Sequence, residues 1–149
     1  YEDKRFLYCN AKTLNLIPSC LAATAADRAG CDEAIFHRGD IVTECAHSNV
    51  SIFKDGKVIT HQLDDKVLPG TARLRLLAFA EKLGFKTEER DYTLDELMNA
   101  DEIVVHSTGS FCIPVKTVDG KPVGGKAPEM LKKIQDALVA DFEEQCRAD

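Results

Sequence analysis

Two short runs decide how this chain folds: IVTECAHSNVSIF at residues 41–53 and LPGTAR at residues 68–73. The first predicts a strand that ends at an acid, Glu44, followed by a polar turn and a second strand. The second predicts a helix that begins at Gly70, whose first backbone N–H groups lack partners within the helix and can bind an anion. Gly70 is expected to let the backbone approach that anion closely. An acid that can pair with a ring nitrogen, next to an anion site, indicates a binding site for a ligand that has both a ring and a phosphate.

The neighbouring segments predict a hairpin and a helix. Asp55-Gly56 is a strong two-residue turn signal, so we expect Asn49–Lys54 and Lys57–Thr60 to pair as antiparallel strands. Residues 71–83 carry apolar side chains on one helical face and are followed by a glycine, which is typical of a helix end. The predicted helix therefore has one buried face and begins at the proposed anion site.

The rest of the chain alternates strands, hairpins and helices without repeats, which predicts an α+β fold of mixed strands and hairpins with flanking helices. Further strands are expected at Phe6–Cys9, Glu33–His37, Ile41–Glu44, Phe85–Tyr92 and Ile103–His106, and a further hairpin at Asp119-Gly120. Further helices are expected at Pro18–Ala29, at Thr93–Asn99 behind a capping-box pattern, and at Pro128–Cys146. Lys12 then follows the first strand, and the strand at Ile103–His106 is expected at the sheet centre.

Composition excludes several classes of function. The 149 residues suit one domain, and no apolar run approaches the ~20 residues of a membrane helix. A net charge of −6 with scattered lysines argues against a nucleic-acid surface. The six cysteines form no C-x-x-C pair, which indicates reduced thiols and a cytoplasmic location. Because the chain opens at Tyr1, we expect it to be part of a longer polypeptide.

With Lys12 and Glu44 in place, the chain resembles the fold-type IV pyridoxal-phosphate aminotransferases over nearly its whole length. The run KTLNLIP at residues 12–18 resembles the D-amino-acid aminotransferase branch around its Schiff-base lysine. The signature of the family is matched at Glu44, Ala46, Asn49, Val50, Thr60, Gly70, Ala72 and Arg73. Ser51 stands where an aromatic residue is usual, and Thr71 where an aliphatic one is usual.

The resemblance implies a role for each matched residue. Lys12 would form the Schiff base with pyridoxal 5′-phosphate and move the proton between the substrate α-carbon and the cofactor. Glu44 would pair with the pyridinium nitrogen, and Leu68 would pack on the face of the ring. The implied phosphate ligands are the backbone amides of Thr71 and Ala72 with Thr108, and the second-tier contacts are Ser48, Asn49 and Ser107.

The resemblance also implies a fold and a reaction. Residues 1–149 would be the large C-terminal, pyridoxal-phosphate-binding domain of the D-amino-acid aminotransferase-like fold, with the smaller N-terminal domain absent. The whole enzyme would act on amino acids and 2-oxo acids, foremost D-alanine with 2-oxoglutarate to give pyruvate and D-glutamate. Relatives are dimers, so a homodimer is expected. The missing domain normally supplies further phosphate and substrate contacts, so this domain alone is expected to be a poor catalyst.

Other interpretations stay open at this stage. Within the family, a branched-chain aminotransferase or an aminodeoxychorismate lyase differs in substrate contacts that lie largely outside this domain. The alternative from another class is a catalytically silent domain that binds a phosphate ligand or a protein partner. Taken alone, Lys12 is a surface lysine and the Asp64-Asp65 pair is a solvated loop. The four histidines lack metal-ligand spacing, so no metal site is predicted.

Overall fold

The fold is built around a mixed sheet with helices beside it, and the computed structural model describes residues 1–147. The helices are α1 (Ile17–Arg28), α2 (Thr71–Lys82), α3 (Leu94–Met98) and α4 (Pro128–Arg147). The strands are β1 (Ile35–Arg38), β2 (Ile41–Cys45), β3 (Asn49–Lys54), β4 (Lys57–Thr60), β5 (Lys86–Glu89), β6 (Glu102–Ser107), β7 (Ser110–Pro114), β8 (Thr117–Val118) and β9 (Lys121–Pro122). The α+β class predicted from the sequence is confirmed.

The strands of the main sheet lie in the order β5-β4-β3-β6-β7. β4 and β5 are parallel, whereas the other neighbours in this sheet are antiparallel. β1 pairs with β2, and β8 with β9, outside this sheet. β6 lies between β3 and β7, so the strand expected at Ile103–His106 is an interior strand, whereas the middle strand of the five is β3.

The turn between β3 and β4 fixes the register of the central hairpin. Asp55 and Gly56 have positive φ values of 49° and 73°, which suit the mirror-image turns that two-residue hairpins prefer. Ile52 consequently pairs with Ile59, as the predicted hairpin requires. Because side chains alternate along a strand, Phe53 packs toward α2 whereas Ile52 packs on the opposite face.

Apolar side chains cover both faces of the main sheet. One face packs against α2 and α4 through Phe53, Val58, Leu76, Leu77, Ala80, Val104, Ile134 and Leu138. The other face is covered by Val42, Val50, Ile52, Ile59, Tyr92, Leu97, Ala100 and Ile103. The buried face predicted for α2 is thus present, and its packing holds the beginning of this helix in place against the sheet.

Several local predictions are confirmed. Thr93 and Glu96 form a reciprocal capping box at the beginning of α3, and Gly30, with a φ of 73°, follows the end of α1. All six cysteines are free thiols. Within residues 1–147, no helix combines the length and the apolar character that crossing a bilayer requires.

Residues 6–9 do not form the predicted strand. Phe6 and Tyr8 are 83% and 76% exposed, and Tyr8 has a φ of 69°, which is incompatible with a strand. A strand needs a neighbour for its ladder of hydrogen bonds, whereas the backbone N–H of Cys9 donates to the carbonyl of Asp65 in a loop, at 2.8 Å. Lys12 therefore lies in an irregular loop before α1, which we call the Lys12 loop (residues 6–16).

Glu102 ties the beginning of α4 to the sheet. Its buried carboxylate accepts hydrogen bonds from the backbone N–H groups of Gly125 and Ala127, each at 3.0 Å. Glu102→Ala leaves both donors unpaired and is expected to lower the free energy of unfolding by about 2–3 kcal/mol, as urea denaturation would measure. Glu102→Gln keeps one acceptor oxygen and should lose less. Equal losses in the two variants would contradict this role of the hydrogen bonds.

Candidate active site

A cavity of about 560 Å³ opens between the Lys12 loop, the end of β2 and the beginning of α2. Its wall includes every residue for which the sequence predicts a binding role: Lys12, Glu44, Ser48, Asn49, Leu68, Thr71, Ala72, Ser107 and Thr108. A cavity of this volume accommodates a small organic ligand. The fold therefore brings these residues together from distant segments, while the role of each stays a prediction.

Glu44 lies at the end of β2 with its carboxylate buried in the cavity wall. Its Oε2 accepts hydrogen bonds from Asn49 Nδ2 and from the backbone N–H of Leu68, each at 3.0 Å, and its Oε1 forms an ion pair with Arg5. Burial raises the pKa of Glu44, while the charge of Arg5 and the Leu68 N–H act in the opposite direction. A carboxylate offers about four lone-pair sites, so Glu44 can accept one further hydrogen bond from a ligand.

Arg5 is the site residue that the sequence reasoning missed. Besides Glu44, its guanidinium contacts Asp3 at 2.9 Å and the carbonyl of Lys66 at 3.0 Å, and it lies 4.6 Å from the ring centroid of Phe36. Burial lowers the pKa of Arg5, but its bonds to Asp3 and the charge of Glu44 more than offset this, so the net pKa is raised. Arg5 is thus a permanent counter-charge to Glu44. No spacing rule joins two residues so far apart in the sequence.

The beginning of α2 presents unpaired backbone donors to the cavity. Gly70 is the N-cap, and it provides no side-chain cap. Leu74 donates the first helical hydrogen bond, to the Gly70 carbonyl, and in the part of the chain that the structure describes the N–H groups of residues 71–73 have no acceptor. The hydroxyls of Thr71 and Thr108 lie 3.4 Å apart. Unpaired donors at the positive end of a helix, with hydroxyls beside them, suit an anion such as phosphate.

Gly70 is required by the packing of Asn49. A Cβ at residue 70 would lie 2.1 Å from Asn49 Oδ1, although the φ of Gly70 is an ordinary −65°. Asn49 is buried, and its Nδ2 donates both to Glu44 and to the carbonyl of Leu68, the latter at 2.9 Å. Gly70 therefore permits a close approach to the side chain that orients Glu44, while the approach to an anion that the sequence predicts stays a prediction.

Lys12 reaches the same cavity from the Lys12 loop, on a surface that is open to solvent. Among the described residues, no other lysine lines this cavity. Ser48 and Ser107 border it as well, and the Ser48 hydroxyl donates to Glu33 at 3.2 Å. A chemical step that needs an amine from the cavity wall therefore depends on Lys12.

His106 is a fully buried histidine in the cavity wall. Its Nε2 lies 2.9 Å from Ser51 Oγ, and within residues 1–147 its Nδ1 has no hydrogen-bond partner. Burial, helped by the positive charge of Arg73, lowers the pKa of His106 to about 3. His106 is therefore neutral near pH 7 and adds no charge to the cavity.

The lowered pKa of His106 predicts a loss of stability in acid. An unfolded histidine titrates near 6.5, whereas His106 titrates near 3 in the folded protein, so between these values the unfolded chain binds one more proton. The contribution of His106 to the free energy of unfolding is fully present above its unfolded pKa of 6.5. As the pH falls from there toward the folded pKa of about 3, this contribution decreases by up to ~1.4 kcal/mol per pH unit.

Urea unfolding of wild type and of His106→Gln across this pH range measures the effect. The variant should show a shallower dependence of stability on pH. His47→Gln is the matched control, because the side chain of His47 is 63% exposed, and it should keep the wild-type slope. A wild-type slope in His106→Gln would contradict the prediction.

Known sequences provide an independent comparison. A family model described as amino-transferase class IV matches residues 2–118. A D-alanine aminotransferase from Listeria monocytogenes serotype 4b (strain F2365) is 40% identical over 146 residues, which cover 97% of this chain and 50% of that protein. A D-alanine aminotransferase from Bacillus licheniformis is 39% identical over 138 residues, covering 92% of this chain and 49% of that protein. The chain thus spans about half the length of the curated relatives it matches.

Solved structures give the same comparison at the level of the fold. A branched-chain amino acid aminotransferase from Escherichia coli superposes with a TM-score of 0.79 at 31% identity, over 84% of this chain and 43% of that one. A fold IV-transaminase, CpuTA1, from Curtobacterium pusillum has a TM-score of 0.82 at 28% identity, over 92% and 46%. A branched-chain amino acid aminotransferase from T.th., solved with pyridoxamine 5′-phosphate, has a TM-score of 0.75 at 28% identity, over 83% and 42%. Since the family match extends over most of its length, this chain belongs to the class IV aminotransferase family.

Proposed function

We propose that this chain is the cofactor-binding domain of a pyridoxal-phosphate-dependent aminotransferase and corresponds to the C-terminal half of a longer enzyme. One observation carries the proposal: an exposed lysine, a buried carboxylate and an uncapped helix N-terminus border the same cavity. Pyridoxal 5′-phosphate carries an aldehyde, a ring nitrogen and a phosphate, so each of its groups finds a partner of matching chemistry. Membership of the class IV family supports the same assignment.

The fit of the cofactor rests on groups in the cavity that retain hydrogen-bonding capacity. The unpaired N–H groups of Thr71 and Ala72 and the Thr108 hydroxyl would hold the phosphate. Glu44 would accept the hydrogen bond of the ring nitrogen, and Leu68 would pack against the ring. When bound, pyridoxal phosphate supplies an electron sink that acidifies the α-hydrogen of an amino acid.

The side chains of this domain control charge and proton position. Arg5 remains ionised and Asn49 donates to Glu44, and both favour an ionised, oriented carboxylate against the burial that raises its pKa. Such a carboxylate would help a ring nitrogen that faces it to keep its proton. The amine of Lys12 would take the proton from the substrate α-carbon and later return it. Leu68 excludes water from the space beside it.

The substrates proposed are D-alanine and 2-oxoglutarate, giving pyruvate and D-glutamate. Relatives at about 40% identity that bear the name D-alanine aminotransferase support this choice. The second candidate is transamination of branched-chain L-amino acids, which the similarity to the Escherichia coli enzyme favours at 31% identity. The two differ in the chirality and size of the amino donor.

A second domain and a second subunit are part of the proposal. The Lys12 loop exposes several large apolar side chains at the mouth of the cavity, among them Phe6 (83%), Tyr8 (76%) and Leu14 (97%). Such a patch favours association. We assign it to contact with the N-terminal part of the enzyme and with the partner of a homodimer, both of which add contacts to cofactor and substrate.

The cofactor assignment is tested by covalent trapping. The purified protein is mixed with pyridoxal phosphate, reduced with borohydride, and mapped by mass spectrometry of its peptides. One adduct per chain on Lys12 is expected, and Lys4→Ala, which removes an exposed lysine of the same segment, should leave it unchanged. An adduct spread over many lysines, or none, would count against the cofactor site.

The substrate assignment is tested separately with the holoenzyme. Conversion of 2-oxoglutarate to glutamate is followed with D-alanine, L-alanine and L-leucine as amino donors. Turnover with D-alanine alone supports the proposed reaction. A preference for L-leucine would transfer the assignment to the branched-chain reaction while leaving the cofactor site intact.

A further inference from the structure

A second group of side chains with ligand chemistry lies outside the cavity, around His61. This residue directly follows β4 and is 1% exposed. Its Nδ1 lies 2.8 Å from the carbonyl of Val42. A carbonyl only accepts hydrogen bonds, so Nδ1 carries a proton and donates it. Nε2 is therefore the ring nitrogen through which His61 can bind a cation.

Two carboxylates converge on this nitrogen. Nε2 of His61 lies 3.2 Å from Asp64 Oδ2 and 3.5 Å from Asp91 Oδ1. These ligand atoms all lie within 4.8 Å of one another. A proton on Nε2 can bridge it to Asp64, and a divalent ion would displace that proton and bind all three ligand atoms. A buried imidazole aimed at the acids distinguishes this group from a solvated acidic patch.

The donors already present do not fill this position. Lys66 Nζ lies 2.8 Å from Asp64 Oδ2, and Gln62 Nε2 lies 3.2 Å from Asp91 Oδ1. The Lys66 ammonium balances one of the two negative charges, and its side chain is 31% exposed, so it can move away. Among the hydrogen bonds of the described residues, none joins Lys66 or Gln62 to the His61 side chain.

We propose that His61, Asp64 and Asp91 form a binding site for a divalent metal ion. One imidazole nitrogen and two carboxylate oxygens suit Mn²⁺ or Zn²⁺, with water in the remaining positions. The bond from Nδ1 to a backbone carbonyl is the outer contact by which metal-binding histidines are commonly oriented. The site is formed by side chains of the loops that follow β4 and β5, and it takes no part in the chemistry of the cavity.

The position of the site gives the ion a structural task. His61 and Asp64 begin the segment that continues to Leu68 and Gly70 in the cavity wall, and Asp91 follows β5. The backbone N–H of Arg90 donates to the Thr60 carbonyl at 3.0 Å, which brings the ends of the parallel strands β4 and β5 side by side. A bound ion fastens these two loops together.

Manganese titration of the purified protein tests the site. Any resident metal is first removed with a chelator, and free Mn²⁺ is then measured by electron paramagnetic resonance. Mn²⁺ is the preferred probe because exposed thiols such as Cys20 and Cys31 favour softer ions. The wild type should bind one Mn²⁺ per chain, and Asp91→Asn should bind it about 100-fold more weakly.

Asp65→Asn provides the matched control, because it makes the same change in charge next to Asp64 but outside the group. It should bind Mn²⁺ as the wild type does. Asp91 is 41% exposed, so its replacement leaves the fold intact even if changes at the buried His61 do not. Equal weakening in Asp65→Asn and Asp91→Asn overturns the proposal. So does the absence of stoichiometric Mn²⁺ binding to the wild type.

Discussion

Lys12→Ala is expected to reduce kcat for transamination by about 10³- to 10⁴-fold, because it removes the amine to which we assign the covalent bond to the cofactor and the proton transfer. Among the described residues that line the cavity, Arg5 is also positively charged, but its guanidinium forms ion pairs with Glu44 and Asp3. The measurement is initial-rate kinetics of the holoenzyme with D-alanine and 2-oxoglutarate. Binding of pyridoxal phosphate should persist, since the groups assigned to its ring nitrogen and phosphate are unchanged.

Two comparisons make the Lys12 prediction specific. Lys4→Ala removes an exposed lysine from the same segment and should keep wild-type kcat. Lys12→Arg retains the positive charge but lacks an amine of suitable basicity, so it should be as inactive as Lys12→Ala. Activity above about one tenth of wild type in either Lys12 variant is inconsistent with general acid–base catalysis by this residue, which typically contributes 10² or more.

Gly70→Ala is expected to weaken cofactor binding by about 100-fold and to lower the free energy of unfolding by about 1–3 kcal/mol, the usual range for overpacking. The added Cβ would lie 2.1 Å from Asn49 Oδ1. Asn49 is buried and donates to Glu44, so its displacement also disturbs the carboxylate assigned to the ring nitrogen. Fluorescence titration with pyridoxal phosphate and urea denaturation measure the two effects.

The steric origin of the Gly70 effect has a control and a double-mutant test. At Gly109 an added Cβ would meet no heavy atom within 4 Å, and the backbone there has no positive φ, so Gly109→Ala should leave both quantities near wild type. Combining Gly70→Ala with Asn49→Ala removes the clash, so the double variant should be no worse than Asn49→Ala alone. Additive losses in the double variant, or wild-type binding in Gly70→Ala, would refute the explanation.

Local patterns predicted the parts of the fold that local chemistry determines. Asp55-Gly56 specified the central hairpin because both residues tolerate a positive φ, and Thr93 with Glu96 specified the beginning of α3 through a capping box. The strand predicted at Phe6–Cys9 was wrong because an apolar run becomes a strand only beside a neighbour that accepts its hydrogen bonds.

The candidate site also contains residues that the sequence predicted and contacts that it did not. Motif resemblance brought Lys12 and Glu44 to attention, and the fold brings both to one cavity. The ion pair of Arg5 with Glu44 and the approach of Asp91 to His61 arise from tertiary packing. No periodicity or spacing in the sequence encodes such contacts, so they became visible only in three dimensions.

The hydrogen bond from Cys9 to Asp65 affects the reactivity of Lys12. It anchors the chain three residues before the amine, and three residues span at most roughly 10 Å when fully extended. Lys12 is therefore confined to a small volume beside the cavity before any ligand arrives, as a short tether does in an intramolecular reaction. Toward an aldehyde already bound in the cavity, its effective concentration is on the order of millimolar or higher, so the covalent step that follows binding is first-order.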